Sequence, residues 1–210
     1  MKDNTQNVIA LFDKHAKGYQ EKYMNVDLYG DSLDLFCAQL EKQNAEVLEL
    51  ACGPGNITRY LLNKRPDLKI LATDLAPSML ELAKINNPEA SFQLLDCREV
   101  NTLGKKWDAV MCGFCLPYLS KEDAIQFIQD AANALNDKGL LYISTMEDDY
   151  SKSGIQYSST GDELYMYFHQ ADYLTEALEN NGFKLLDLRR KVYSMQEGVV
   201  TTDLILLASR

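Results

Sequence analysis

The 210-residue sequence lacks long apolar runs and has few basic residues, five cysteines, five prolines and two histidines. No stretch approaches the roughly 18–20 uninterrupted apolar residues that a membrane-spanning helix needs, so we expect no membrane association. The N-terminal 20 residues are polar and charged, with none of the apolar core of a secretory signal. We therefore expect a cytoplasmic globular protein.

Basic residues are outnumbered, with 21 Lys and Arg against 31 Asp and Glu, for a formal net charge of −10. No basic cluster is longer than the three residues 189–191. A protein that binds DNA or RNA is expected to offer a basic stripe to the phosphates. The charge balance therefore predicts neither a nucleic-acid partner nor an anionic membrane surface.

The odd number of cysteines makes a disulfide framework improbable in a chain of this kind. Cys112 and Cys115 form a C-x-x-C pair, which can indicate redox chemistry or half of a zinc site. A zinc site needs further ligands, and the other cysteines and both histidines lack ligand spacing. We predict no metal site and interpret the pair as small apolar residues at a strand end.

Short apolar runs alternate with segments of helical periodicity from residue 45 onward. This alternation predicts βαβ units and a parallel sheet with helices on both faces. The predicted strands are 47–51, 69–73, 91–95, 107–112 and 140–145. The predicted helices between them are 56–64, a segment that starts at Pro77, and 124–135.

The alternation changes near the C-terminus, where a helix over 171–181 is followed by two strands, 183–190 and 199–209. Strands joined by a short connection, here around 196–198, must pair antiparallel. The predicted fold is α/β: a seven-stranded, mostly parallel sheet with a C-terminal antiparallel hairpin. We expect an N-terminal helical lid over 1–44, and a domain over 45–210 with an insertion at about 146–170.

Ligands of open α/β sheets bind beyond the carboxyl ends of the strands. Gly53 and Gly55 follow the first strand, where glycine lets the backbone turn sharply and approach a ligand. Asp74 follows the second strand, placed to accept hydrogen bonds from a ribose, and Asp96 follows the third. Each feature alone has an ordinary interpretation, since an aspartate after a strand is often only a helix cap. Their conjunction predicts a nucleotide-like ligand.

These residues resemble the motifs of class I S-adenosylmethionine-dependent methyltransferases. Residues 47–58 (VLELACGPGNIT) resemble the first motif, with Glu49 at its acidic position and Ala51 in place of the first glycine. Three further stretches resemble the later motifs: 72–84, 94–97 and 107–119.

The resemblance implies a methyltransferase that uses S-adenosyl-L-methionine, with a small metabolite as methyl acceptor at O, N or C. It implies that Asp74 holds the ribose, Leu75 and Met79 pack on the adenine, and Asp96 faces the adenine amino group. The full set of expected cofactor-binding residues is Tyr19, Glu49, Gly53, Gly55, Asp74, Leu75, Met79, Asp96, Cys97 and Gly113. The acceptor is not specified, and either a monomer or a homodimer is compatible.

Two alternatives remain open. An NAD(P)-binding Rossmann oxidoreductase would also place an acid on a ribose, and Asp74 lies 21 residues past Gly53. However, the dinucleotide fingerprint needs a third small residue where this chain has Thr58, and the Tyr-x-x-x-Lys spacing occurs only at Tyr60 and Lys64, on the wrong helix. A non-catalytic cofactor-binding homologue is the other alternative.

Residues 12–23 resemble the segment that precedes the core in small-molecule methyltransferases, where a tyrosine closes over the cofactor. The resemblance implies that Tyr19 is this lid tyrosine, with its electron-rich ring beside the sulfonium of the cofactor. Alternatively, Tyr19 and Tyr23 form the core stripe of an amphipathic helix. On the acceptor side, alternation over 163–169 places Tyr167 and His169 on one face, with His169 as a possible proton acceptor, and Tyr118 is a further candidate. The alternative there is an edge strand with half-exposed aromatic residues.

Overall fold

A seven-stranded sheet forms the centre of the structure, a computed structural model that describes residues 5–157, 161–196 and 199–210. The sheet order is β3-β2-β1-β4-β5-β9-β8. Its strands are β1 (Glu46–Leu50), β2 (Lys69–Asp74), β3 (Ser91–Leu94), β4 (Trp107–Gly113), β5 (Leu135–Met146), β8 (Lys184–Gln196) and β9 (Val199–Ser209). The strands from β1 to β5 pair parallel, whereas β9 pairs antiparallel with both β5 and β8.

Six α-helices accompany the sheet in the described residues. They are α1 (Thr5–Tyr23), α2 (Gly30–Gln39), α3 (Asn56–Lys64), α4 (Pro77–Asn86), α5 (Lys121–Ala134) and α6 (Ala171–Asn180). Local sequence explains several of their ends. Pro77 occupies the first turn of α4, and the Ser120 side chain accepts a hydrogen bond from the Asp123 N–H at the start of α5. None of these helices combines the length and apolarity needed to cross a membrane.

Two apolar cores cover the two faces of the sheet. One includes Leu48, Val110 and Phe127 and lies against α5 and α6, and the other includes Val47, Met111 and Phe36 and lies against α2 and α3. Successive residues of β1 and β4 therefore enter opposite cores, which explains why these strands are almost continuously apolar.

The predicted seven-stranded sheet with its C-terminal antiparallel hairpin is confirmed. Three local predictions differ. The segment predicted as a loop before β4 contains a 3₁₀-helix (Cys97–Leu103). Strand β5 starts at Leu135, five residues early, because Leu135 pairs with Trp107 before an irregularity restores the ladder at Leu140. Strand β8 extends to Gln196, and the predicted connection at 197–198 lies outside the described residues.

Two segments flank this sheet. Helix α1 packs against α4, with Ala16 buried beside Ala76 and Met79. The segment after β5 contains a small antiparallel sheet of β6 (Gly154–Tyr157) and β7 (Glu163–Met166). Helix α1 lies over the carboxyl ends of the parallel strands, so a ligand bound at this edge of the sheet would be enclosed by α1.

Candidate active site

A deep cleft opens at the carboxyl ends of β1, β2 and β4, beneath α1, with about 880 Å³ of free space including solvent at its mouth. Apolar side chains from α1 and the sheet edge form most of its wall. The lining residues are Thr5, Val8, Ile9, Phe12, Tyr19, Ala51, Gly53, Asp74, Leu75, Ala76, Met79, Leu95, Asp96, Cys97, Arg98, Gly113, Phe114, Cys115, Tyr118 and Leu119. The cleft therefore unites most of the predicted cofactor-binding residues, from five separate segments of the chain.

The turn after β1 exposes its backbone to this cleft. Ala51, Gly53 and Gly55 all adopt left-handed φ values of 53°, 54° and 80°. Gly53 lines the cleft, and its N–H donates to Asp74 Oδ2 at 2.8 Å. Gly55 faces away, because a Cβ on it would lie 2.2 Å from Asn87 Nδ2 on the α4 side. The structure thus assigns the two glycines different tasks: Gly53 faces the ligand space, and Gly55 permits close packing behind it.

Asp74 ties the turn after β1 to the start of α4. Its Oδ2 accepts from Gly53 and its Oδ1 accepts from the Ala76 N–H at 2.8 Å, so the helix-cap interpretation holds alongside the ligand-binding one. Burial raises the pKa of Asp74, although the N–H groups that it accepts from favour its charged form. The carboxylate is held rigidly at the cleft wall.

Asp96 lines the cleft but is already engaged by Arg98. Arg98 Nε lies 3.0 Å from both carboxylate oxygens, and its guanidinium also donates to Thr5 Oγ1 on α1 at 3.0 Å. Burial by itself raises the pKa of Asp96, but hydrogen bonds from Arg98 outweigh this and lower it below its usual value. The Asp96 carboxylate is thus ionised and connected to α1.

Glu49 does not line the cleft. Its side chain is buried beneath the glycine turn, where Oε2 accepts from Thr58 Oγ1 at 2.6 Å and Oε1 has no hydrogen-bond partner among the described residues. Burial raises the pKa of Glu49 to about 7. The structure places this motif residue behind the cleft, where it joins β1 to α3 and so supports the turn rather than touching a ligand.

The remaining predicted cofactor residues lie at the cleft wall. Leu75, Met79 and Cys97 contribute side chains, and Cys97 Sγ is 3.1 Å from Cys115 Sγ. All five cysteines are free and buried. Gly113 contributes backbone, and a Cβ there would lie 2.4 Å from Ile57 Cδ1. Of the C-x-x-C pair, Cys115 lines the cleft and Cys112 is buried in the core at the end of β4.

Tyr19 enters the cleft from α1 and is half-buried, and burial raises the pKa of its hydroxyl. Its ring contacts Phe12 and Tyr23, with centroids 5.6 and 4.6 Å apart. The Phe12 ring also meets Tyr118 at 5.4 Å, so aromatic contacts connect α1 with the segment after β4. Asp13 on α1 accepts from the Ser78 N–H at 2.8 Å, which holds α1 on the start of α4.

Of the three predicted acceptor-side residues, the structure brings only Tyr118 to the cleft. Tyr167 packs instead with Tyr165 and Tyr150, at ring distances of 4.9 and 6.1 Å. His169 is fully buried, with Nε2 donating to the Leu116 carbonyl at 2.8 Å and Nδ1 bonded to the Tyr173 hydroxyl. Burial lowers its pKa. The expected role of His169 as proton acceptor does not fit this geometry, because both ring nitrogens are used inside the core.

Sequence reasoning missed Phe114, Arg98 and most of the α1 wall. Phe114 follows Gly113 with a left-handed φ of 55°, a conformation that costs a non-glycine residue free energy and marks functional sites. Its N–H donates to the Ser144 carbonyl and Oγ, both at 3.1 Å, which holds the ring at the cleft. No sequence pattern reveals this conformation, but the apolar stripe Val8, Ile9 and Phe12 on a helix already predicted as a lid was an available signal.

The sequence around the cleft is similar to that of known methyltransferases. Residues 47–139 match the family model of a methyltransferase domain. A malonyl-[acyl-carrier protein] O-methyltransferase from Acetivibrio thermocellus is 32% identical over 142 residues, covering 64% of this chain and 47% of that protein. One from Ilyobacter polytropus is 27% identical over 182 residues, covering 83% and 66%. The chain spans about half the length of several curated relatives that it matches.

The fold has close structural neighbours. The magnesium protoporphyrin IX methyltransferase from Synechocystis PCC 6803 with bound S-adenosylmethionine superposes with a TM-score of 0.72 at 18% identity, covering 100% of this chain and 98% of the other. Likeness at this identity establishes a shared fold, and the methyltransferase-domain match adds the sequence evidence over the strands that carry the cleft.

Proposed function

We propose that this chain, which belongs to the class I S-adenosylmethionine-dependent methyltransferases, transfers the methyl group of S-adenosyl-L-methionine to an O, N or C nucleophile of a small metabolite. One observation carries the proposal. The Gly53 backbone, the Asp74 carboxylate and the Asp96 carboxylate, from three successive strand ends, all line one cleft.

The residues present fit the cofactor. Asp74 and Asp96 are acceptors suited to ribose hydroxyls and an adenine amino group, and Leu75 and Met79 offer apolar surface to the adenine ring. Gly53 leaves its backbone accessible, since the nearest side-chain atom to an added Cβ is Tyr19 Cε1 at 3.7 Å. When bound, the cofactor supplies an electrophilic methyl group on a sulfonium.

The chain's own residues position the reactants and exclude water. Tyr19 on α1 offers an aromatic face to a cationic sulfur, an interaction worth about 0.5–2 kcal/mol depending on desolvation. We assign α1, within the expected lid over 1–44, as the element that covers the cleft, because Asp13 and Thr5 connect it to α4 and to Arg98. Helix α2, in the same range, packs instead into the core on one face of the sheet. In this proposal α1 moves as ligands exchange. Closure of α1 over the cleft then excludes water and aligns the acceptor with the methyl group. This positioning supplies most of the rate enhancement of direct methyl transfer.

A small acceptor is consistent with the enclosure of the cleft by α1. The O-methyltransferase names of curated relatives point to modest-sized acceptor groups, and these names describe those proteins. Tyr118, at the cleft wall beside Phe12, is the predicted acceptor-side residue that retains a contact role.

Calorimetric titration of the purified protein tests the assignment. S-adenosylmethionine and S-adenosylhomocysteine are expected to bind in the micromolar range, with NADH silent. Asp74→Ala is expected to weaken binding of both sulfur ligands at least tenfold, while the control Asp67→Ala, at the opposite end of β2, leaves it unchanged. Binding of NADH alone would support the oxidoreductase alternative, and silence with all three ligands would reject the cofactor site.

A second measurement separates an enzyme from a non-catalytic binder. Purified protein with S-adenosylmethionine and a metabolite extract is followed for acceptor-dependent release of S-adenosylhomocysteine. Micromolar cofactor binding without release above the no-extract control would favour the non-catalytic homologue.

A further inference from the structure

Asp203 is an acidic residue on β9, directly before the apolar run Leu204–Ala208. It lies on β9 opposite Met146, at the end of β5, and so belongs to the same edge of the sheet as the cofactor cleft. Its side chain is fully buried. Burying a carboxylate costs several kcal/mol unless partners compensate, so such a residue is expected to have a task.

The partners of Asp203 are two phenols. The Tyr29 hydroxyl donates to Oδ2 at 2.7 Å, and the Tyr193 hydroxyl reaches Oδ1 at a long 3.5 Å. Within the described residues, no cationic side chain pairs with this carboxylate. Lys191 is opposite Asp203 in the strand register, but its ammonium pairs with Asp31 at 2.7 Å.

The neighbouring guanidinium is also committed elsewhere. Arg189, two residues from Lys191 on the same strand, pairs with Asp187 at 2.5 Å and with Asp31 at 2.8 Å. The cationic groups near Asp203 are thus paired with other carboxylates, and burial raises the pKa of Asp203 although the two phenols that it accepts from favour its charged form. Among the described residues, the hydrogen bond at Oδ1 is the long 3.5 Å contact with Tyr193.

This cluster adjoins the cofactor cleft through the Tyr29 ring. That ring lies 5.2 Å from the ring of Phe114, which lines the cleft. The carboxylate thus lies behind two aromatic rings, the nearer of which to the cleft is Phe114.

The charges of the cleft also favour a cationic acceptor over an anionic one. Asp74 and Asp96 are acidic, and in the described part of the cleft wall Arg98 is the basic side chain, with its guanidinium on Asp96. Because Arg98 already pairs with Asp96, Asp74 is the cleft carboxylate without a cationic partner among the described residues. A cation would be attracted by Asp74 and by the electron-rich ring faces, which recognise ammonium groups.

We propose that Tyr29, Phe114 and Tyr193, with Asp203 behind them, form the acceptor subsite, and that the acceptor carries a basic amine. The inference rests on the proposed methyltransferase function and names its substrate class. Tyr29 and Phe114 contact the amine, and Asp203 is a positioning residue that orients the Tyr29 hydroxyl and supplies the negative charge. The malonyl group named for one relative is an anion, so this chain differs from that relative in acceptor charge.

The test uses matched probes on protein saturated with S-adenosylhomocysteine at pH 8. Phenethylamine and 3-phenylpropionate share a ring and a chain but carry opposite charges, and each is titrated by calorimetry. The wild type is expected to bind phenethylamine at least tenfold more tightly than 3-phenylpropionate. Equal binding, preference for the carboxylate, or no binding of the amine would overturn the proposal.

Variants test the residues. Asp203→Asn is expected to weaken phenethylamine binding at least tenfold and to strengthen 3-phenylpropionate binding, with S-adenosylhomocysteine affinity unchanged. Tyr29→Phe, which removes only the hydroxyl, is expected to weaken phenethylamine binding several-fold and decides the matter if Asp203→Asn does not fold. Unchanged amine preference in the folded variants would refute the assignment.

The matched control is Asp108→Asn, another buried aspartate but at the opposite edge of the sheet beside Lys42. It is expected to lower the melting temperature without altering the amine preference. The experiment distinguishes failure of the methyltransferase proposal from failure of the acceptor proposal. Silence with S-adenosylhomocysteine would reject the methyltransferase function, whereas cofactor binding without amine preference would reject only the acceptor class.

Discussion

The buried carboxyl group of Glu49 makes the stability of this protein depend on pH in an unusual direction. Burial raises its pKa from 4.5 to about 7, because the surroundings disfavour the charged form by more than the hydrogen bonds from Thr58 favour it. Between these two values the unfolded chain releases a proton that the folded protein retains. The contribution of Glu49 to stability is therefore fully present below pH 4.5 and is lost as pH rises through 7.

The magnitude follows from linkage. Between pH 5.5 and 8, the free energy of unfolding of the wild type is expected to fall by about 2 kcal/mol relative to Glu49→Gln. Glutamine keeps an acceptor for Thr58 Oγ1 but does not titrate. Taking the difference between the two proteins cancels the other titrating groups, which both share.

Urea unfolding followed by the fluorescence of Trp107, the single and buried tryptophan, measures this difference at pH 5.5, 6.5, 7.5 and 8. The control is Asp108→Asn. Hydrogen bonds from Lys42, Glu46 and Asn136 outweigh burial and lower the pKa of Asp108, so its difference from the wild type is expected to be flat in this range. A flat or rising profile for Glu49→Gln would refute the reasoning.

Three further predictions concern the glycine turn and the buried histidine. Ala51→Gly removes the strain of a non-glycine residue at a left-handed φ of 53°, which is about 1–2 kcal/mol. The glycine also raises the conformational entropy of the unfolded chain, which costs about 0.4–1 kcal/mol of stability. Thermal unfolding is therefore expected to show a small net stabilisation, and a loss of more than about 1 kcal/mol would contradict this reasoning. Gly55→Ala is expected to destabilise by about 2 kcal/mol or more, since its Cβ would meet Asn87 Nδ2 at 2.2 Å; an unchanged urea midpoint would show that the turn relaxes freely. For His169→Gln, we expect lower stability without a shift in the pH profile of turnover. Because burial lowers the pKa of His169, the wild type loses part of this advantage as pH falls below about 6.5, and a shifted turnover profile would restore the catalytic interpretation.

Much of the fold followed from local patterns. The apolar runs at β1, β2 and β4 and the helical periodicity of α5 predicted the alternation correctly, because strands buried on both faces must be apolar throughout. The class I methyltransferase recognition is confirmed as well, since its motifs lie in the turns directly after those strands. Turn chemistry is local, so it is readable from a single sequence.

The site was predicted less completely, and the errors have a common cause. Gly53 and Gly55 are alike in sequence, yet one faces the cleft and the other packs on Asn87. The predicted alternation over 163–169 extends past β7, which ends at Met166, and it could not tell that His169 turns into the core against Leu116. Pattern gives the side of an element, and only the packing of other elements decides whether that side meets a ligand.

The sequence by itself determined where the turns follow the strands, which acidic residues lie in those turns, and which protein family these motifs resemble. These depend on neighbours a few positions apart. Only the tertiary structure joined Tyr29 to Asp203, 174 residues apart, and set both beside Phe114. It also placed Arg98 on Asp96 and Tyr19 in the cleft. Such contacts arise when elements distant in the chain pack together, and burial then decides which carboxylates are neutralised, which are paired and which remain to meet a ligand.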